Sequence, residues 1–284
     1  MKSFVTLMLC LLSMTTFAQV HDEISSAMEE FDYDKVINLI SPGTKDSLLL
    51  STRIQALKAM NRYPEAIVDL TSLFVKDTTD TKILIDLAEC YKLMGSPRQA
   101  ADYYRKAVSL RPNNKFFRLQ YIRSLLNAEN FKEARDACHG WLEQDTVSAT
   151  GYKYLGQAYE GMQDIPNAFF SYNVAYRRDS LDAQTVARIA NIFNNNRQFT
   201  DAIDVTECYR LSDTTSVDVN RQNAKAYCML KDYKKAIERY ESLKRMGDRS
   251  FLTFYYLGIS YYGDNWFYGC LLYTSPSPRD MRRS

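Results

Sequence analysis

Histidine, the side chain most used in acid–base and metal chemistry, occurs only twice in this sequence, as His21 and His139. A Ser–His–Asp triad or a catalytic zinc site needs histidine held beside specific partners. No glycine-rich phosphate loop or zinc-type cysteine spacing accompanies either residue. Carboxylates are plentiful, but their spacing singles out no acid–base pair. The sequence therefore predicts a protein that is not an enzyme and that holds no metal and no cofactor.

Cysteine is the other reactive residue type, with six copies, of which Cys208 and Cys228 fall on neighbouring predicted helices. If the chain is exported, a disulfide between these two cysteines is one interpretation. The other interpretation is buried free thiols that pack as small hydrophobic side chains.

The two ends of the chain carry its excess of positive charge. The formal net charge is +2, but the sequence without residues 1–18 and 269–284 has 32 basic and 33 acidic residues. A body with balanced charge gives no electrostatic reason to bind nucleic acid or an anionic membrane.

The N-terminus has the pattern of a secretory signal. Lys2 precedes a short apolar stretch from Phe4 to Phe17, and Ala18 completes a small-residue cleavage site. We expect residues 1–18 to be a signal peptide and the protein to be exported to the periplasm or cell envelope of a bacterium. An uncleaved anchor is the alternative, and no other segment resembles a transmembrane span.

Alanines recur every 34 residues along the chain. They are Ala66, Ala100, Ala134, Ala168, Ala202 and Ala236. Within residues 81–114, apolar residues follow helical spacing on both sides of a Gly95-Ser96-Pro97 break. Each 34-residue unit is therefore predicted to be two amphipathic helices joined by a tight turn, and the small residues mark where the two backbones approach closely. By this argument Gly156 should face Ala168.

The same unit resembles the tetratricopeptide repeat family at eight signature positions. They are Leu84, Leu87, Ala88, Tyr91, Ala100, Tyr104, Ala107 and Pro112. The resemblance implies an all-α fold, a right-handed superhelical solenoid of antiparallel helix pairs.

The expected domain organisation follows the period. Residues 19–46 are a degenerate first helical repeat, and residues 251–268 are the first helix of a truncated repeat. Between them lie six repeats, 47–80, 81–114, 115–148, 149–182, 183–216 and 217–250.

In this family the first helices of the repeats line a concave groove that holds peptides or partner segments. The corresponding residues here are Lys82, Glu89, Lys92, Arg123, Asn127, Lys153, Gln157, Asn191, Asn194, Asn195, Arg221 and Lys225. Amides suit recognition of a peptide backbone and cations suit carboxylates, so the partner is expected to be a protein or peptide of some acidic character. The alternative is a solvated groove whose polar residues only maintain solubility.

The resemblance and the N-terminus together predict a non-enzymatic interaction scaffold or adaptor of the cell envelope. Two alternatives stay open. One is the sensor portion of a longer membrane receptor, and the other is an accessory subunit that delivers substrate to an envelope enzyme.

The C-terminal residues 269–284 lack a helical pattern, and Pro276 and Pro278 cannot continue a helix. The string from Cys270 to Asp280 resembles translated adapter read-through at broken gene ends. Our hypothesis is that residues 269–284 are a non-native, unstructured tail. The preceding helix is then expected to expose an apolar face. Its members are Phe254, Leu257, Tyr261 and Trp266.

Overall fold

The computed structural model describes residues 20–265, and these residues form fifteen α-helices and no strand. The signal and the tail expected at the two ends, and Trp266, lie outside the described residues. The chain divides into two compact units, with the boundary between Asn130 and Phe131. The two helices of the expected repeat 115–148 therefore belong to different units.

The first unit contains seven helices. They are α1 (20–29), α2 (Tyr33–Leu39), α3 (Ser47–Ala59), α4 (Tyr63–Lys76), α5 (Thr81–Leu93), α6 (Pro97–Leu110) and α7 (Lys115–Asn127). From α2 to α7, each helix packs against the next one along the chain. The core runs from Ile24 to Cys90 as one cluster, with smaller clusters around Leu84 and Tyr104.

The second unit contains eight helices. They are α8 (Phe131–Leu142), α9 (Ala149–Gly161), α10 (Ile165–Arg178), α11 (Ala183–Asn195), α12 (Phe199–Arg210), α13 (Val217–Met229), α14 (Tyr233–Arg245) and α15 (Phe251–Gly263). Each packs against its successor, and α11, α13 and α15 also pack in series as the first helices of successive repeats.

The turns between paired helices repeat with the same period as the alanines. One residue with positive φ occurs in each turn from Asn61 to Asn265. These residues are Asn61, Gly95, Glu129, Gln163, Arg197, Lys231 and Asn265. In the turns from Asn61 to Lys231, the left-handed residue lets its own N–H and the next one bond to carbonyls of the last helical turn, as Gly95 and Ser96 do at 3.1 and 2.9 Å. Several helices start at a side-chain cap; Asp46, for example, accepts hydrogen bonds from the N–H groups of Leu48 and Leu49.

All six alanines of the 34-residue column are fully buried, which confirms their predicted place in the core. The tightest neighbour of Gly156 was not predicted. A Cβ at Gly156 would lie 2.6 Å from two ring carbons of Tyr172, so the small residue makes room for an aromatic ring one helical turn beyond Ala168.

The expected exposed face of the last helix was also wrong. Leu257 is completely buried and Tyr261 is nearly so, because both join the core cluster of α13 and α14, while Phe254 is half-buried. The exposed apolar side chains of α15 lie on a different side of the helix. They include Phe251, Leu252, Tyr255 and Tyr262.

Candidate protein-binding surface

The first unit has a cavity of about 520 Å³ between α3 and α5, the first helices of two successive repeats. Its floor is made of four buried aliphatic side chains, Ile54, Leu70, Leu73 and Ile83. Its rim is polar. The rim residues are Ser47, Ser51, Gln55, Lys58, Lys76, Asp77, Asp80, Lys82 and Asp86. An apolar floor under a polar rim is the usual construction of a site that takes an apolar group and orients it by hydrogen bonds. We refer to it as the α3–α5 cavity.

Local structure fixes the position of α5 beside α3. Asp80 caps α5 by accepting a hydrogen bond of 2.8 Å from the N–H of Lys82. Farther along, Nζ of Lys58 on α3 lies 2.5 Å from Oδ1 of Asp86 and 3.5 Å from Oε2 of Glu89, both on α5. Burial alone lowers the pKa of the Lys58 ammonium, but the hydrogen bond and the charge of Asp86 outweigh it and raise that pKa. This pair holds the two walls at a fixed separation.

The equivalent place in the second unit, between α9 and α11, is nearly closed. Its cavity measures about 90 Å³. Lys153 stands three repeats after Ser51, and its Nζ lies 3.0 Å from Oδ1 of Asp182 across the gap. Burial raises the pKa of Asp182, but hydrogen bonds from Thr185 and Lys153 bring it below its ordinary value. A lysine in place of a serine thus fills the site and neutralises its acid.

The twelve residues predicted from the family resemblance differ in exposure. The exposed ones are Lys82, Lys92, Arg123, Asn127 and Asn195. The half-buried ones are Glu89, Lys153, Gln157, Asn191, Arg221 and Lys225. Asn194 is buried. Of the twelve, only Lys82 lines the α3–α5 cavity.

Several of the predicted cations in the second unit bind neighbouring repeats to each other. Arg221 lies 2.9 Å from Asp248, which directly precedes the first helix of the next repeat, and 2.8 Å from Asp218. Lys225 donates to Oδ1 of Asn195 at 3.3 Å, and burial lowers its pKa. These side chains support packing, so the wall of the second unit is less cationic than its composition suggests.

The amides of the same wall are also partly engaged. Nδ2 of Asn194 donates to the backbone oxygen and to Oε1 of Gln222, both at 3.0 Å. Nε2 of Gln157 is buried and makes no hydrogen bond within residues 20–265. Oδ1 of Asn194 is buried and without a hydrogen bond in the same range, so neither amide presents all of its polar atoms to a partner.

Sequence reasoning missed Ser51 and Gln55 as cavity residues. They occupy positions five and nine of the repeat 47–80, the same positions that identified Lys153 and Gln157 in the repeat 149–182. The family signature is weaker in the repeat 47–80, but its positions follow from the 34-residue period alone. Counting positions through the looser repeat is the signal that would have found them.

The remaining residues of chemical interest are His139 and the cysteines. Nε2 of His139 lies 3.3 Å from the hydroxyl oxygen of Tyr159 on an exposed surface. Within residues 20–265, no group of three His, Cys, Asp or Glu side chains is placed to hold a metal ion. Cys208 and Cys228 are free thiols, the first exposed and the second buried. No helix in this described range has the length and hydrophobicity needed to cross a bilayer.

Residues 81–114 match the family model described as tetratricopeptide repeat. A curated relative is the DnaJ homolog subfamily C member 7 homolog of Dictyostelium discoideum, which is 34% identical over 137 residues. That match spans 48% of this chain and 23% of the relative, so the matched half of the chain corresponds to less than a quarter of that protein.

Solved structures of similar fold cover most of the chain. A tetratricopeptide repeat protein from Parabacteroides merdae matches 87% of this chain and 99% of its own, with a TM-score of 0.59 at 13% identity. The C-terminal part of a repeat protein from Cytophaga hutchinsonii matches 81% and 97%, with a TM-score of 0.59 at 16% identity. PilF of Pseudomonas aeruginosa matches 78% and 96%, with a TM-score of 0.55 at 16% identity. At these identities the likeness shows the fold, which is an all-α helical repeat solenoid.

Proposed function

We propose that this chain, which belongs to the tetratricopeptide repeat proteins, works as a non-enzymatic protein-interaction scaffold. In this proposal the α3–α5 cavity takes one apolar side chain from an extended segment of a partner protein. The observation that carries it is the composition of the cavity, which sets four buried aliphatic side chains beneath a polar rim.

The rim suits a peptide backbone better than a charged small molecule. The hydroxyl of Ser51 and the amide of Gln55 can both donate and accept hydrogen bonds. Its three lysines and three aspartates balance in charge, so they orient a ligand without selecting one net charge. A neutral segment with an aliphatic or aromatic anchor fits this chemistry.

We further propose that acidic residues lie beside the apolar anchor in the partner segment. Exposed cations continue beyond the cavity in the first unit, from Lys82 and Lys92 on α5 to Arg123 on α7. In the second unit, Lys153 and Arg221 are already paired with acids. Acidic residues of a bound segment would therefore lie along α5 and α7. The export to a bacterial envelope, which the pattern of residues 1–18 favours, is likewise part of the proposal.

The test copies the closed site of the second unit into the first. Ser51→Lys places an ammonium opposite Asp80, as Lys153 lies opposite Asp182. Ten-residue peptides with one central apolar anchor are screened against the full chain, and the best binder is titrated by fluorescence anisotropy. We expect Ser51→Lys to weaken binding at least about tenfold, as for loss of one buried anchor.

Lys153→Ser is the matched control and should leave the affinity unchanged. Circular dichroism and the urea midpoint show whether each variant keeps its fold. Equal binding by folded Ser51→Lys, or equal binding of a peptide whose anchor is replaced by glycine, would show that the cavity is not the binding site.

A further inference from the structure

We propose that a second cavity, at the C-terminal ends of α12 and α14, binds an oxyanion of the phosphate class. This α12–α14 cavity measures about 380 Å³. Three arginines line it, together with three hydroxyl side chains. They are Arg210, Arg239, Arg245, Thr214, Thr215 and Ser242. Glu238 and Met246 complete the lining.

The arginines around this cavity exceed their acidic partners. Glu207 is shared, because Nε of Arg210 lies 3.5 Å from one of its oxygens and Nη2 of Arg239 lies 3.2 Å from the other. Glu238 lies 2.8 Å from Arg239, and its charge also acts on Arg210. Three guanidinium groups therefore face two carboxylates, while the Asp213 carboxylate beside the lining is bound by the N–H and the hydroxyl of Thr215.

Arg210 shows the imbalance most clearly. Its side chain is only 14% exposed, and its Nε makes no hydrogen bond among residues 20–265. Burial is the main cause that lowers the pKa of Arg210, and the positive charge of Arg239 lowers it further. A bound anion would offset the repulsion between Arg210 and Arg239, and it would accept a hydrogen bond from Nε of Arg210.

The arginines are not required by the repeat. The residues 34 positions earlier are Tyr176, Val205 and Leu211. A cavity of about 350 Å³ bounded by α10, α11 and α12 is lined by Asp201, Asp204 and apolar side chains. The same fold therefore builds a comparable cavity without a single arginine, and the cluster at α12 and α14 is a local property of this sequence.

A phosphate group matches this donor set better than a single carboxylate does. Guanidinium groups bind phosphate oxygens through paired N–H donors, and the hydroxyls of Thr214 and Ser242 can complete the coordination of the remaining oxygens, whereas the Thr215 hydroxyl already donates to Asp213 at 2.7 Å. One carboxylate would occupy one guanidinium and leave the other two and the hydroxyls unused. The ligand is either free phosphate or a phosphorylated side chain of a partner.

The experiment titrates the full chain with inorganic phosphate at pH 7.5 by calorimetry, at constant ionic strength set with chloride. Phosphoserine is titrated in a parallel arm. Arg245→Ala removes an exposed arginine and should weaken binding about tenfold, the effect of one hydrogen bond to a charged group. Glu238→Gln removes a competing carboxylate and should tighten binding severalfold. Arg239 is left intact because its Nε also donates to the buried Asn223 at 3.1 Å.

Asp204→Asn, next to the neighbouring cavity, is the matched control and should change nothing. Saturable binding of phosphate alone supports a free-anion site, and tighter binding of phosphoserine supports a phosphorylated partner. Heats no larger than those of chloride, or folded Arg245→Ala that binds as the parent does, would overturn the proposal. Ser51→Lys should leave phosphate binding unchanged. The proposal for this site and the proposal for the α3–α5 cavity are therefore tested independently.

Discussion

The α3–α4 hairpin of the first unit and the α9–α10 hairpin of the second lie three repeats apart in sequence and have equivalent helix bounds. The side chains that fill the space between the two helices differ from one hairpin to the other. Where the first has Ile54 packed near Leu70, the second has Gly156 against the ring of Tyr172. Both pairs fill the gap between their helices, the first with two aliphatic side chains of equal size and the second with a glycine against a large ring.

The same two hairpins differ in polarity. Arg53 and Asp69 form a buried ion pair in the first unit, and Leu155 and Ser171 stand at the equivalent positions of the second. Burial raises the pKa of Asp69 even though Arg53 lies beside it. The comparison shows that the repeat fixes helix positions, while each hairpin fills its interior by local pairs. A cavity can therefore open in one repeat and be filled in another.

The largest effect is expected from breaking the buried pair. Asp69→Ser leaves the buried guanidinium of Arg53 with only Glu65, 3.9 Å away, as an acidic partner, and the free energy of unfolding should fall by about 3–5 kcal/mol. Arg53→Leu combined with Asp69→Ser copies the second unit and should recover most of that loss. Urea unfolding followed by circular dichroism measures both variants. A double variant as unstable as the single one would mean that the pair contributes packing rather than charge compensation.

The next effect concerns size matching. Gly156→Leu should lower the free energy of unfolding by about 3 kcal/mol, because the new side chain overlaps the buried ring of Tyr172. Gly156→Ile with Tyr172→Leu reproduces the aliphatic pair of the first unit and should be more stable than Gly156→Leu. Urea midpoints test this order. If Gly156→Leu unfolds like the parent, the two helices are not in the register described.

A smaller effect is expected from the ion pairs between repeats. The positions of the basic and the acidic residue in these pairs are exchanged between the two units. Lys58 pairs with Asp86, and at the equivalent positions Glu160 pairs with Arg188 at 2.9 Å. Glu160 also accepts a hydrogen bond of 2.7 Å from the hydroxyl of Tyr172. Glu160→Lys should cost about 2 kcal/mol, since it loses that bond and places two cations together.

Adding Arg188→Asp restores an ion pair with the polarity of the first unit. It should recover only the electrostatic part of the loss, because the Tyr172 hydroxyl still lacks its acceptor. Chemical unfolding of the two single variants and the double variant gives the coupling between positions 160 and 188. Strict additivity would show that the pair contributes nothing to the joining of these repeats.

The sequence predicted the backbone of this molecule better than its surfaces. The alanine column and the turn at Gly95 follow from close helix packing, which is a local requirement and repeats with the chain. The partner of Gly156 was missed because the bulk that fills its space comes from Tyr172, four residues after Ala168 and one helical turn away. Small residues identify a close contact, but not which side chain occupies it.

The candidate site was harder to predict for a related reason. Composition shows Lys153 and Arg221 as cations, whereas their availability depends on Asp182 and Asp248, which directly precede the first helix of the next repeat. Such pairing across repeats involves residues 27 to 29 apart and varies from one repeat to the next. The open cavity at Ser51 exists for the same reason, because a lysine is absent from that position.

The smallest expected effect is on stability in acid, and it concerns Asp248, a paired carboxylate of the second unit. Burial alone raises the pKa of Asp248, but hydrogen bonds from Thr253, Ser250 and Arg221 lower it to about 2 from the ordinary 3.8. A carboxyl group whose pKa is lower in the folded state stabilises the fold above its unfolded pKa, and that contribution is lost as the pH falls toward 2. Between pH 6 and pH 3 the loss should be about 1 kcal/mol.

Asp248→Asn should therefore be less stable than the parent at pH 6, with a difference that shrinks by about that amount at pH 3. Urea unfolding at the two pH values measures it, and Asp218→Asn, at an exposed carboxylate of the same arginine, is the control. A difference between parent and Asp248→Asn that is the same at both pH values would show that the carboxylate contributes no ion-pair stability to the junction of α13 with α15.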